Sequence, residues 1–501
     1  MRRLNKAVPF FLILVILMFV PSGISQEEEG ILYEGDDVLL QAGNSQPKFQ
    51  FVPSSLFQEV VDIRMGACFY SSNTYNDLPG LHTWMPNIKE LGIWRFDTCV
   101  DENEPPINWD YINEEEFPEE YDQFIDELNE NGVTVNYMLH FWDKIGHANG
   151  SELSTPRFQS EEQIQDFLNY TRFVVSHFKD RVQYYTIWSE PDACPGIKCI
   201  EVEDYINLVN RTVPVIHEEN PEAKISIAPN VLFFAQDYLS TILESDIMTM
   251  VDVIQWHGIY SVIPNDPFYG DYYYQYPAIV EGIRQTAVAH GFDGECWATE
   301  VGYSTETDKQ GAKYASRFLI KHLGMDMGVA MGDLRYDNLE IRPWEQRALG
   351  NLYKILAGTK STSLDVEFEN EPTNAVATSF ELPNGDSVFA LWIDGEAVED
   401  DPGVKTTLTF PSQSAQKVVV IDVLNGFEQE LFKRMENGDL IIRNIYLKDY
   451  PIILLINNGT SAITSQDQFP LMQLSIIVGV PVVVVGALVF WKKHTVRRST
   501  L

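Results

Sequence analysis

The chain has 501 residues, 45% of them apolar, and sets 73 acidic side chains against 35 basic ones for a formal charge of −38. A surface this acidic repels a phosphate backbone, which excludes nucleic acid as a partner. Acidic stretches such as residues 110–120 read as solvated surface, and no substrate is inferred from them.

In chain order, Arg2, Arg3 and Lys6 precede an apolar run at 7–20, then Pro21 and the small residues SGIS before Gln26. That pattern predicts a secretory signal over 1–25 with cleavage near Ser25, and the run is short for a membrane span. Residues 26–55 form an N-terminal segment whose part at 31–52 is expected to add a strand to a later β-sandwich. Apolar, β-rich runs ending in polar or aromatic residues then occur at 63–70, 92–98, 134–141, 183–188, 224–228, 251–257, 296–300 and 329–334. Helical patterns fit between them at 119–131, 161–178, 202–218, 277–290 and 310–323, and 344–356 would close the ring. Eight alternating units predict an α/β fold, a (β/α)8 TIM barrel over 56–360.

From 361 to 457 the pattern changes to short strands with turn signals, among them SVFALWID, KTTLTF, KVVVIDVL and YPIILLIN. This predicts a C-terminal antiparallel β-sandwich. A polar stalk at 458–470 leads to 21 uncharged residues at 471–491, followed by Lys492, Lys493, Arg497 and Arg498. The expectation is one C-terminal transmembrane helix and a basic cytoplasmic tail at 492–501, placing the protein in the cell membrane as a single-pass chain with 26–470 outside. Sequons at Asn149, Asn169, Asn210 and Asn458 fit an exported chain.

Five cysteines allow two disulfides with one left over. Cys194 and Cys199 bracket the loop CPGIKC and are the candidate pair; Cys68 and Cys99 are either a second bridge or free buried thiols, and Cys296 reads as a core residue. No CxxC or HExxH pattern is present, so no metal or cofactor is expected.

Two segments carry the chemistry. Residues 184–192 read YYTIWSEPD and residues 295–305 read ECWATEVGYST, each an apolar strand run delivering one carboxylate, Glu190 and Glu300. The interval between them holds about three barrel units, which sets the pair on strands facing each other across the barrel mouth. Two carboxylates in one cleft are the minimal machinery for cleaving a glycosidic bond.

These segments resemble the acid/base and nucleophile strands of the clan A glycoside hydrolases, and barrel plus sandwich is most similar to family 39, with families 51, 30 and 79 as neighbours. The resemblance implies that Glu190 is the general acid/base and Glu300 the nucleophile of a retaining enzyme acting on an oligosaccharide, polysaccharide or glycoconjugate. It implies that Arg95, ending the second strand, holds Glu300 ionised; a structural ion pair with Asp97 stays open beside that reading. His140 and Trp142 match sugar-contacting positions, or are ordinary rim residues. His257 or Tyr260 would hydrogen-bond the nucleophile. The tyrosine-rich loop FYGDYYYQYP at 268–277 and Trp344 would offer flat faces to pyranose rings, or simply pack. Ser189 stands where the clan usually has asparagine. That departure supports the alternative of an inactive glycan-binding surface receptor.

Overall fold

The computed structural model describes residues 50–51, 62–69, 93–97, 119–130, 133–140, 157–194, 199–231, 236–259, 262–264, 266–302, 307–331, 343–370 and 372–457. The expected signal, stalk, span and tail lie outside them, as do Asn149, Asn458, Cys99, Trp142 and Tyr260. None of the described helices is long and apolar enough to cross a membrane.

The first strand, β1 (Gln50–Phe51), belongs to the second lobe. The next eight run parallel and close on themselves: β2 (Met65–Phe69), β3 (Ile93–Asp97), β4 (Thr134–Leu139), β5 (Tyr184–Ile187), β6 (Lys224–Val231), β7 (Val253–His257), β8 (Glu295–Val301) and β9 (Gly328–Met331), with β9 paired back onto β2. Among the described residues the α-helices outside this barrel are α1 (Glu119–Glu130), α2 (Glu161–Phe178), α3 (Val202–Glu219), α4 (Gln236–Leu243), α5 (Gly270–Ala289), α6 (Asp308–Gly324) and α7 (Pro343–Leu356).

Local sequence explains these elements. Ser160 caps α2, its Oγ accepting from the Gln163 N–H at 3.3 Å, and Ile164, Phe167, Leu168, Thr171, Val174, Val175 and Phe178 form the stripe it buries. Side chains alternate along a strand, so every second residue fills the barrel. Tyr184, Val253 and Trp297 pack as one such apolar layer with Ile63 beside them. Further along the strands Thr186 Oγ1 donates to Asn136 Oδ1 at 2.9 Å and accepts from Gln255 Nε2 at 2.6 Å, a polar layer beneath the mouth.

Two helices depart from the sequence expectation, one of them α4, which none of the expected helical patterns covers. The tyrosine-rich segment is not a loop: α5 starts at Gly270 and carries Pro277 inside it. Tyr272, Tyr273 and Tyr276 are buried, and each hydroxyl is hydrogen-bonded, to the Gly258 carbonyl, Asp394 and the Trp256 and His322 rings respectively. Burial with satisfied hydroxyls outweighs the disruption from one proline. Of the aromatic residues in this segment only Phe268 and Tyr274 stand exposed.

The second lobe has two antiparallel sheets, β1-β16-β15-β19-β13-β12-β10 and β11-β14-β18-β17, counting β10 (Lys360–Thr362), β11 (Glu367–Phe368), β12 (Ala375–Glu381), β13 (Ser387–Ile393), β14 (Val404–Phe410), β15 (Lys417–Asp422), β16 (Phe427–Glu430), β17 (Arg434–Glu436), β18 (Asp439–Leu447) and β19 (Ile452–Asn457). Phe389, Leu391, Val418, Val420, Leu454 and Ile456 face the smaller sheet, packing with Leu408, Phe410, Leu440 and Ile442. Their neighbours Val388, Ala390, Trp392, Val419, Ile421 and Ile453 join the barrel's own core. Both faces of the larger sheet are therefore buried, which is why β13 and β15 read as continuous apolar runs rather than alternating ones.

Between the lobes, α6 is buried nearly all round. Asp394 takes Arg317 at 3.3 Å, Lys321 at 3.1 Å and the Tyr273 hydroxyl at 2.8 Å, while Lys313 pairs with Asp449 at 2.8 Å. Burial pushes the Lys313 and Lys321 ammonium groups below the usual lysine range, with Asp449 and Asp394 respectively opposing that shift.

Candidate active site

The backbone leaves β5 under strain. Trp188 has φ 66° and Glu190 φ 44°, left-handed conformations that cost non-glycine residues about 1 kcal/mol or more and persist only where the surroundings enforce them. Here the enforcement is visible. The Trp188 N–H still donates to the Leu139 carbonyl at 3.1 Å, extending the ladder. Its fully buried ring meets Phe158 at 5.0 Å, Phe167 at 5.9 Å and the edge of His140 at 4.4 Å, with the Arg157 guanidinium 5.1 Å above it.

Beyond Glu190 the chain is tied down. The Ala193 N–H donates to the Glu190 carbonyl at 3.0 Å, Ile200 N–H to the Pro191 carbonyl at 2.8 Å, and Cys194 and Cys199 form a disulfide. Of the described cysteines Cys296 is free, and it is buried.

Glu190 itself keeps 23% of its side chain exposed, and its Oε1 lies 3.1 Å from Nε2 of His257, which is 1% exposed. Nearly buried imidazole against half-buried carboxyl is a proton-handling pair: one partner is fixed by the core and the other reaches solvent. His257 ends β7, the sixth barrel strand. The sequence expectation set this histidine, or Tyr260, against Glu300; the described contact of His257 is with Glu190, while Tyr260 and the Glu300 side chain lie outside the described part. Pattern identifies a strand end, while the side chain it meets is fixed by three-dimensional packing.

Glu300 is the sixth of seven residues in β8, the seventh barrel strand. His257 is in register with Thr299, so Glu300 comes one step beyond the residue abreast of His257. Against β9 the register shifts between Ala298 and Val301, a bulge of the kind that re-aims a side chain beside a site. The Glu300 side chain lies outside the described part, as does that of Arg95, whose backbone stands in register with Cys68 and Asn136.

Of the remaining expected residues, His140 and Ser189 lie beside the turn that carries Glu190, and Trp344 packs elsewhere. His140 follows β4 and is buried against Trp188. Ser189 is 1% exposed. Trp344 opens α7, packs toward the sandwich core, and has Lys309 at 5.5 Å and Arg347 at 5.3 Å over its ring, so cations already occupy it. Among the described residues no group of His, Cys, Asp and Glu could hold a metal ion.

No protein-family model matches the chain. Solved structures do. A family 39 glycoside hydrolase from Bacteroides cellulosilyticus WH2 superposes with TM-score 0.56 at 15% identity, covering 80% of this chain and 81% of that one. A family 30 subfamily 8 xylanase from Clostridium acetobutylicum gives 0.52 at 13% identity over 79% and 97%, and a family 39 enzyme from Xanthomonas axonopodis pv. citri 0.51 at 13% over 82% and 98%. The chain carries the clan A glycoside hydrolase fold. At these identities the likeness concerns fold alone. Beta-glucosidase 31 of Arabidopsis thaliana is 39% identical over 71 residues, and that match spans 14% of this chain and 13% of the plant protein.

Proposed function

We propose that the protein is a retaining glycoside hydrolase acting on O-glycosidic bonds of an oligosaccharide, polysaccharide or glycoconjugate. The observation that carries this reading is the Glu190–His257 pair just beyond the fourth barrel strand, in a fold whose seventh strand carries Glu300 one residue before its end. The family likeness in fold supports it.

In this mechanism the Glu300 carboxylate attacks the anomeric carbon as Glu190 gives its proton to the departing oxygen, leaving a glycosyl ester on Glu300. Glu190, now a carboxylate, takes a proton from water; the hydroxide carbon bond forms at the anomeric centre, the ester breaks, and both glutamates return to their starting states. Sugar-ring contacts would come from the loops after the strands. The apolar segments at 7–20 and 471–491 support an exported enzyme held in the cell membrane by its C-terminal end, with the barrel outside.

The test is hydrolysis of aryl β-xylosides, β-glucosides, β-galactosides, β-glucuronides and α-L-arabinofuranosides by the full-length protein. Turnover is expected to vanish in Glu300→Gly and to return in part with azide, and a 2-fluoro sugar should label Glu300. Labelling elsewhere, or inversion of the product, would overturn the retaining mechanism. Ser189, in place of the usual asparagine, favours the second reading, a glycan-binding receptor; saturable glycan binding without turnover would select it.

A further inference from the structure

Behind the cleft, on the outer side of β7, lies a polar chain that the chemistry above does not use. Trp256 Nε1–H donates to the Tyr276 hydroxyl at 3.0 Å, and that hydroxyl is 3.0 Å from Nε2 of His322. The other ring nitrogen of His322, Nδ1, lies 2.6 Å from the Phe318 carbonyl oxygen. A carbonyl only accepts, so Nδ1 carries the hydrogen, Nε2 is the acceptor, and Tyr276 donates to it. Burial pushes His322 down to about 4, which keeps this one tautomer neutral near physiological pH.

The same strand end is gripped at the next residue. Tyr272 donates to the Gly258 carbonyl at 3.1 Å. A Cβ at Gly258 would meet His322 Nε2 at 2.7 Å, the Tyr276 hydroxyl at 2.8 Å and Ala298 Cβ at 2.9 Å, so the strand passes the network with no side-chain spacer. Residues 256 and 258 are thus both fixed from helices α5 and α6, and the residue between them is His257.

We propose that Tyr276 and His322 are positioning residues for proton transfer at Glu190, fixing the end of β7 and through it the 3.1 Å contact between His257 and Glu190. This rests on the glycosidase reading above. Alternation makes the link geometric: with Trp256 locked outward, His257 is held inward, and rotation of the strand end would carry its imidazole away from the carboxyl. Apolar side chains at 276 and 322 would fill the same space, but only the hydrogen-bonded chain specifies one orientation. A displacement of about 1 Å can cost on the order of a hundredfold in rate.

Leaving-group dependence tests this, because a dinitrophenyl group departs without a proton and a methoxyphenyl group needs one. In Tyr276→Phe, kcat/KM should fall roughly tenfold or more on the methoxyphenyl glycoside and less than about twofold on the dinitrophenyl one, with KM little changed. His322→Gln, which keeps an acceptor, should behave nearly as wild type, and His322→Leu as Tyr276→Phe. Tyr353→Phe, which deletes a buried hydroxyl on α7, is the control and should leave both substrates alike. Equal loss on both substrates in Tyr276→Phe would overturn the proposal. The ¹⁵N imidazole resonances of His257 supply a readout independent of turnover and of any single variant's folding. They should move in Tyr276→Phe and in His322→Leu but not in Tyr353→Phe; unmoved resonances also overturn it. If the wild type hydrolyses no glycoside yet those resonances move, the glycosidase reading fails while the positioning of His257 stands.

Discussion

Asp394 and Glu190 each set a carboxylate beside a cation or an imidazole, and their surroundings are built in opposite ways. Asp394, at the seam between the lobes, is 3% exposed and is enclosed by Arg317, Lys321 and Tyr273. Glu190, at the barrel mouth, is 23% exposed, has His257 beside it and sits on a strained backbone. The seam closes its carboxylate among two cations and a hydroxyl. The mouth sets its carboxylate against an imidazole and leaves it open to water. Partner chemistry and exposure separate a carboxylate that holds structure from one suited to chemistry.

The sharpest way to break this comparison is to remove each carboxylate in turn. Glu190→Gln should lower turnover of glycosides with poor leaving groups about 10²- to 10⁴-fold while the denaturant midpoint stays put or rises. Asp394→Ala should do the reverse: about 3–5 kcal/mol of stability lost in guanidinium titrations, since Arg317 and Lys321 would be left buried without their counter-charge. A stability loss at Glu190 equal to that at Asp394 would erase the distinction.

The neutral network between these two places gives a pH test. His322 is depressed to about 4 in the fold, against roughly 6.5 unfolded, so the unfolded chain binds the proton first as pH falls. Its contribution is therefore complete above pH 6.5, is lost as pH drops toward 4, and changes no further below that. Between pH 7 and pH 4 the wild type should lose on the order of 3 kcal/mol more than His322→Gln, read as the difference between their unfolding curves. An identical pH dependence would mean that His322 is not held neutral. The smallest effect belongs to the bridge beyond Glu190: with five residues of sequence separation, replacing Cys194 and Cys199 by alanine should cost about 2 kcal/mol, read from the unfolding midpoint of the oxidised wild type against the double variant.

Legibility followed the range of the forces involved. Helix α2 could be read from its own cap and stripe, and both carboxylates from the strand runs that deliver them, because those signals are local. The start of α5 could not. Pro277 read as a helix start and the tyrosines as a loop, since the groups that satisfy Tyr272, Tyr273 and Tyr276 come from Gly258, Asp394 and His322, far away in sequence. His257 was legible as a strand end but not as the partner of Glu190. The i, i+4 spacing of Tyr272 and Tyr276 was the one available hint that a helix face, rather than a sugar platform, had been written there.

Strand β1 has a consequence for how this protein comes into being. Gln50 and Phe51 pair with Glu428 and Phe427, so the chain passes through the larger sheet at β1, departs to build the barrel, and returns to that sheet. A ribosome emitting this chain would release one edge of the sheet long before its neighbour exists. Forming that pairing closes a loop over most of the chain, a contact of high sequence separation and high entropic cost. The lobes are accordingly not beads on a string. One cut after the barrel would leave β1 bound to a sheet on the other fragment, and the two pieces would still be clasped.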